Sequence, residues 1–250
     1  VVRKIIGPIF RRVFDLTIVG LENLPSSGPA IIAANHTSVI DSFIVPAVLP
    51  RNISYVGKAE YLDDWKTRHI FPALGMIPID RSGGDAAKAA LDTAASLLDA
   101  GGLFGIYPEG TRSRTGHLYK GRTGVARLAH RTGSPIVPVG LTGMREIQPP
   151  DAPMPKFFTA ATIRFGQPLH PDEHGDPTLD PMAFRAMTDA LMFRIRHLSG
   201  QDYVNRYAPS KAELEAQQES SARVDLTDRS DVTDDKPLAD RRTATDLLNA

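Results

Sequence analysis

The sequence predicts an α/β fold, a single domain with a central mixed, largely parallel sheet flanked by helices. Three observations predict it. Short apolar runs alternate with stretches of helical spacing through most of the 250 residues, which is the pattern of βαβ units. Apolar residues make up 42% of the chain, enough to fill one sizeable core. Beyond residue 208 the apolar periodicity stops, and the domain is expected to stop with it.

The elements follow in order. In VVRKIIGPIFRRVF, at about 100° per residue, Val2, Ile5, Ile6, Ile9, Phe10 and Val13 share one face, with Arg3, Lys4, Arg11 and Arg12 opposite. Residues 1–14 are therefore expected to form an amphipathic helix lying in a membrane interface, kinked or divided at Gly7-Pro8. The same stripe would also suit a helix packed on its own domain with its basic residues in solvent. Strands are expected at FDLTIV (14–19), AIIAA (30–34), ISYV (53–56), MIPI (76–79), LFGIY (103–107), IVPVGL (136–141) and ATIRF (161–165). Helices are expected over 39–49, 85–100, 120–132 and 181–198. In the second of these Asp85 can cap the start, Ala87, Ala90, Leu91, Ala94, Leu97 and Leu98 form the apolar stripe, and Gly101-Gly102 ends it. Residues 145–160 read as a Pro-rich connection. The domain proper spans 15–208. Residues 209–250 are polar, charged and poor in aromatics, as expected of a disordered tail, with a short helix at AELEAQQ.

Charge and composition exclude several function classes. The net charge is zero, but residues 209–250 hold ten acidic and six basic residues, leaving 23 basic against 19 acidic in 1–208. That body is too mildly basic for general nucleic-acid binding, yet it has room for a local anion site. The absence of cysteine removes a disulfide framework, thiolate metal ligation and a cysteine nucleophile. No run approaches the roughly 18 apolar residues of a transmembrane helix. His170 and His174 have a metal-like spacing, but Pro171, Gly175 and Pro177 place them in a loop, and no metal site is expected.

Two short blocks carry the chemistry. NHTSVIDSF (35–43) follows the apolar run AIIAA, so His36 and Asp41 sit where an open α/β sheet usually binds ligands. A histidine there can exchange protons near neutral pH, provided a carboxylate fixes its far nitrogen. Five helical positions would leave the two about 140° apart around the axis. The chain must therefore leave helical geometry between them, with Thr37 or Ser38 capping the helix that follows. YPEGTRSRTG (107–116) follows LFGIY and offers Glu109, Gly110, Thr111 and Arg112. Glycine permits close backbone approach, threonine adds a hydroxyl, and arginine can grip a phosphate in a fork. Taken alone, each block could also be an ordinary polar turn. No GxGxxG or GxxxxGK[ST] pattern occurs, which excludes the nucleotide loops, and no GxSxG elbow supports Ser38 or Ser42 as a nucleophile.

Together the blocks resemble the glycerolipid acyltransferase family, of the lysophosphatidic acid acyltransferase type. That family has an NHxSxxD block, a G-x-x-x-[IV]-x-R block, a PEGTRS block and an apolar block ending in proline. Here these are NHTSVID, GMIPIDR (75–81), PEGTRS (108–113) and PIVPV (135–139), in the same order. GKAEY (57–61) resembles a Lys-x-Glu-Leu segment, with Tyr61 in place of the leucine. YKGRTGVARLA (119–129) resembles the helix entry, with Arg122 and Thr123 where apolar residues are more usual. The resemblance covers roughly residues 20–142.

It implies acyl transfer from acyl-CoA or acyl carrier protein, as donor substrate and with no cofactor, to a hydroxyl of lysophosphatidic acid or glycerol 3-phosphate. Another lysolipid or a glycolipid would be a related acceptor. His36 would be the general base and Asp41 its partner. Arg112 would place the acceptor phosphate, with Glu109, Gly110 and Thr111 shaping the loop and Arg81 and Lys58 as further phosphate ligands. Arg81 and Lys58 would equally suit surface ion pairs with Asp80 and Glu60. Membrane lipids would be the partners and nucleic acid would not, at the cytoplasmic face of a membrane as a peripheral or monotopic protein. A serine lipid esterase using His36 and a non-catalytic phospholipid-binding module are the competing classes.

Overall fold

In the computed structural model, residues 2–58, 75–79, 86–175, 178, 180–217 and 219–220 are described. Those up to Ala208 belong to one compact unit and those from Pro209 to a second. In the second, 211–217 are helical, and Ser210 and Glu213 cap the start reciprocally.

The apolar runs assemble into one sheet because each carries side chains for both of its faces. The strands are β1 (Leu16–Val19), β2 (Ala30–Ala34), β3 (Ile53–Lys58), β4 (Met76–Ile79), β5 (Leu103–Ile106), β7 (Ile136–Thr142) and β8 (Ala161–Phe165), in spatial order β1-β8-β7-β2-β5-β3-β4. Every neighbouring pair is parallel except β7 with β8, so the sheet is mixed and largely parallel. A separate parallel pair joins β6 (Leu118–Tyr119) to β9 (Tyr203–Val204). The predicted strand at 14–19 starts at Leu16, since Asp15 takes a left-handed φ of 41° that no strand residue adopts.

Strand β2 shows how two cores form. It is buried throughout, with Ala30, Ile32 and Ala34 in one apolar cluster and Ile31 and Ala33 in the other. On the first face lies α2 (Asp41–Val48), whose Ile44, Val45 and Val48 join that cluster. Phe10 and Val13 of α1 (Val2–Val13) pack against the same face. On the second face lie α3 (Ala86–Asp99), α4 (Gly124–Thr132) and α6 (Ala183–Ser199), through Ala94, Leu98, Val125, Leu128, Met187, Leu191 and Ile195. A one-turn helix, α5 (Met144–Ile147), follows β7.

Three expectations are corrected here. Helix α1 is not divided at Gly7-Pro8 but runs on through it as one element. Gly7 is what brings it against α2, since a Cβ there would stand 2.7 Å from the Ala47 carbonyl oxygen. The helix expected from residue 120 begins at Gly124, because Leu118–Tyr119 are spent on β6 and the Lys120 N–H bonds the Arg206 carbonyl. Residues 171–174 form a short 3-10 turn where a plain loop was expected. Pro138 is tolerated inside β7 because its nitrogen faces the β8 side. Two residues earlier the Ile136 N–H bonds Leu169 on that side, and at Pro138 the β8 ladder has already ended.

No helix of the described residues is long and apolar enough to cross a membrane. No group of three or more potential metal ligands occurs among them.

Candidate active site

The strand order places the site. After β2 the chain passes into α2 on the first face of the sheet. After β5, its parallel neighbour, it passes through β6 into α4 on the second face. Chains that leave adjacent strand ends for opposite faces open a crevice at the carboxyl edge. His36 follows β2 and Glu109–Arg112 follow β5, so both blocks stand at that crevice.

The first block is folded by one carboxylate. The Asp41 Oδ2 atom accepts hydrogen bonds from the Thr37 and Ser38 N–H groups at 2.8 and 2.9 Å, and lies 2.9 Å from His36 Nδ1. Residues 35–38 leave helical geometry and α2 starts at Asp41, as the spacing requires. The capping runs opposite to expectation, because Asp41 serves Thr37 and Ser38, while the Ser38 hydroxyl accepts from the Ile40 N–H and donates to the Gln148 carbonyl. Asp41 is fully buried, and no described residue bonds its Oδ1. Asn35, also fully buried, extends the β2–β7 ladder by exchanging two bonds with the Leu141 backbone.

The His36 ring, 14% exposed, keeps one edge open. One face lies flat on Tyr107, with centroids 3.8 Å apart and planes at 10°. The Tyr107 hydroxyl bonds Ser42, and burial, then the Asp41 charge, push its ionisation well up, so it stays a neutral phenol. Tyr107 was not singled out from sequence, and Ser42 was weighed only as a nucleophile. The aromatic residue just before Pro-Glu-Gly was the available signal.

The second block is tied to the first through Glu109. Its carboxylate is buried, accepting the His36 N–H at 3.2 Å on one oxygen and the Tyr119 N–H at 2.9 Å on the other. The Ser113 N–H bonds the His36 carbonyl at 2.7 Å. Glu109 therefore shapes the loop from beneath and does not face a ligand. Gly110 takes φ 78°, and a Cβ there would meet the Arg122 side chain at 2.9 Å. Gly110 and Thr111 are exposed and Arg112 is partly buried. Among the described residues no carboxylate pairs with Arg112. Lys58 ends β3, two strands from β2, and Arg81 lies outside the described residues.

Burial pushes the Glu109 carboxyl up to about 7 from 4.5, against the pull of its two N–H bonds. The folded chain thus holds this proton more tightly than the unfolded chain. Its contribution to stability is complete below pH 4.5 and is lost as pH rises through about 7, roughly 3 kcal/mol in all. Glu109→Gln is expected to flatten the unfolding free energy over that range. At pH 5 it should also cost about 1–3 kcal/mol, since an amide has one acceptor oxygen for two N–H groups. Urea titrations across the range check both effects.

Residues 15–142, half of the chain, match the family model described as Acyltransferase. The chain belongs to the acyltransferase family. Among its relatives, a chloroplastic 1-acyl-sn-glycerol-3-phosphate acyltransferase of Arabidopsis thaliana is 31% identical over 137 residues, covering 54% of this chain and 38% of that one. The 1-acyl-sn-glycerol-3-phosphate acyltransferase of Bacillus subtilis is 27% identical over 181 residues, covering 71% and 84%. The family member described here spans only about two fifths of the plant relatives it matches. The crystal structure of the 1-acyl-sn-glycerophosphate acyltransferase PlsC from Thermotoga maritima shares the fold, with a TM-score of 0.63 at 21% identity over 78% of this chain and 76% of that one.

Proposed function

We propose that this protein transfers a fatty acyl group from an acyl thioester, acyl-CoA or acyl carrier protein, to the free hydroxyl of 1-acylglycerol 3-phosphate at a membrane surface. The observation that carries the reading is the His36–Asp41 pair held at the carboxyl edge of the sheet. With Nδ1–H donated to Asp41, the lone pair of Nε2 is free to take the acceptor's hydroxyl proton as the oxygen attacks the thioester carbon. The carbon–sulfur bond then breaks, and the imidazolium returns its proton to the leaving thiolate. No acyl-enzyme is needed, because the thioester arrives activated. Arg112, uncommitted to any described carboxylate, would hold the acceptor phosphate, with Lys58 and Arg81 as further candidates. That both the Arabidopsis and the Bacillus relative are 1-acyl-sn-glycerol-3-phosphate acyltransferases supports the acceptor.

Thiol release from acyl-CoA, followed with and without 1-acylglycerol 3-phosphate, tests the proposal. Release that depends on the acceptor and yields the diacyl product is expected. Free fatty acid formed at the full rate without acceptor would make the protein an esterase. Arg112→Ala is expected to raise the acceptor KM, a loss of about 1.5–3 kcal/mol for a charged hydrogen bond. An unchanged acceptor KM would place the phosphate elsewhere.

A further inference from the structure

Met154, Phe157 and Phe158 stand 66%, 54% and 80% exposed within five residues of one another. They occupy the connection between α5 and β8, read from sequence only as Pro-rich. The connection is braced at its root and at its tip. At the root the Ser38 hydroxyl bonds the Gln148 carbonyl, the Gln148 amide bonds the Ala152 carbonyl, and Arg114 forks onto Asp151. Further along, the Lys156 N–H bonds the Ile147 carbonyl. At the tip the Phe158 N–H bonds the Val13 carbonyl of α1, and the Phe157 ring lies 5.9 Å from that of Phe14.

Phe158 adopts φ 57°, a left-handed conformation that is unfavourable for a bulky side chain. The bracing therefore holds an aromatic ring in water at a cost in backbone strain. Ile9, one turn before Val13 on α1, is 52% exposed as well. Lys156 is exposed within the loop, and Arg12 and Asp15 are exposed on either side of the Val13–Phe14 segment that braces it, while Arg11 reaches the Val48 carbonyl. An apolar tip with a lysine between its exposed side chains complements a bilayer that carries anionic headgroups.

We propose that residues 154–158 form a membrane contact, a fixed aromatic loop beside the end of α1 that inserts beneath the headgroups of an anionic bilayer. This deepens the membrane-surface part of the proposed function and rests on it. The root of the loop is bonded to Ser38, two residues from His36, and to Arg114, two residues from Arg112. Insertion would thus set the mouth of the site against the headgroup layer, where a lysolipid presents its phosphate and hydroxyl.

The test uses the full chain and sedimentation with vesicles of phosphatidylcholine containing a quarter phosphatidylglycerol. Phe157→Ser with Phe158→Ser is expected to lower partitioning at least about tenfold. Phe193→Ser, on α6 and also exposed, should leave it unchanged. Lys156→Gln should weaken binding to the mixed vesicles and not to pure phosphatidylcholine. Because the chain has no cysteine, Phe158→Cys carrying an environment-sensitive fluorophore gives an independent reading. Its emission should shift blue on vesicles, and the same label at position 193 should not.

Equal binding by wild type and the double variant would overturn the loop proposal and leave the membrane reading standing. No vesicle binding by wild type would overturn both, while acyl transfer to a dispersed short-chain acceptor is measured separately. Self-association without vesicles, abolished by the same substitutions, would make the tip an interface between copies and overturn the proposal.

Discussion

His36→Ala is expected to lower kcat by ~10²–10⁴-fold, the usual loss for a missing general base, while the protein remains folded. The local bonding explains why the two effects separate. Asp41 keeps its bonds to the Thr37 and Ser38 N–H groups without the ring, and the Glu109 and Ser113 bonds engage the His36 backbone, which alanine retains. Removing a ring that is 14% exposed and stacked on Tyr107 leaves a gap open to solvent at the crevice, not a sealed cavity. Acceptor KM should change little, since Arg112 is the proposed ligand of the phosphate. Initial rates over a range of acceptor concentrations, with a thermal melt of the same sample, check the prediction. A variant that keeps most of its turnover would remove His36 from the mechanism, whatever else the site does.

What could be read in advance followed the range of the interactions. Strands β2 and β8 and helix α3 were legible because each is specified by its own residues: continuous apolar runs, an alternating ATIRF, a stripe ended by Gly101-Gly102. The pairing of His36 with Asp41 was legible because both belong to one short block. The insertion of β5 between β2 and β3 was not, and it is this long-range order that brings PEGTRS beside NHTSVID. Glu109 was grouped with the phosphate loop through the resemblance of its PEGTRS block, which does not say which way its carboxylate turns. Its burial depends on the His36 and Tyr119 N–H groups, 73 and 10 residues away. Strands β6 and β9, two residues each, are too short to leave a periodicity. Phe157 and Phe158 gave no helical or strand spacing, and their exposure is set by contacts with α1, far off in sequence.

Asp41→Asn is the sharper companion to the histidine variant, because it separates position from charge. The amide oxygen must occupy the Oδ2 site. In the reverse orientation its NH₂ would face the Thr37 and Ser38 N–H groups, both donors. With oxygen there, the ring can still donate Nδ1–H and keep its orientation, but the negative charge that would steady the imidazolium is gone. The NH₂ then fills the Oδ1 position, an atom that no described residue bonds, and a donor there needs an acceptor that the carboxylate oxygen did not. A buried donor without a partner costs about 1–3 kcal/mol of stability. The expected result is a lower kcat, by up to the ~10⁴-fold that the same change brings in the serine-protease triad, where the tautomer is lost as well, together with a stability loss in the range just given. Steady-state kinetics and urea unfolding on one preparation measure both. Full turnover would mean that Asp41 only holds the ring in place. Unchanged stability would mean that the Oδ1 site has an acceptor after all.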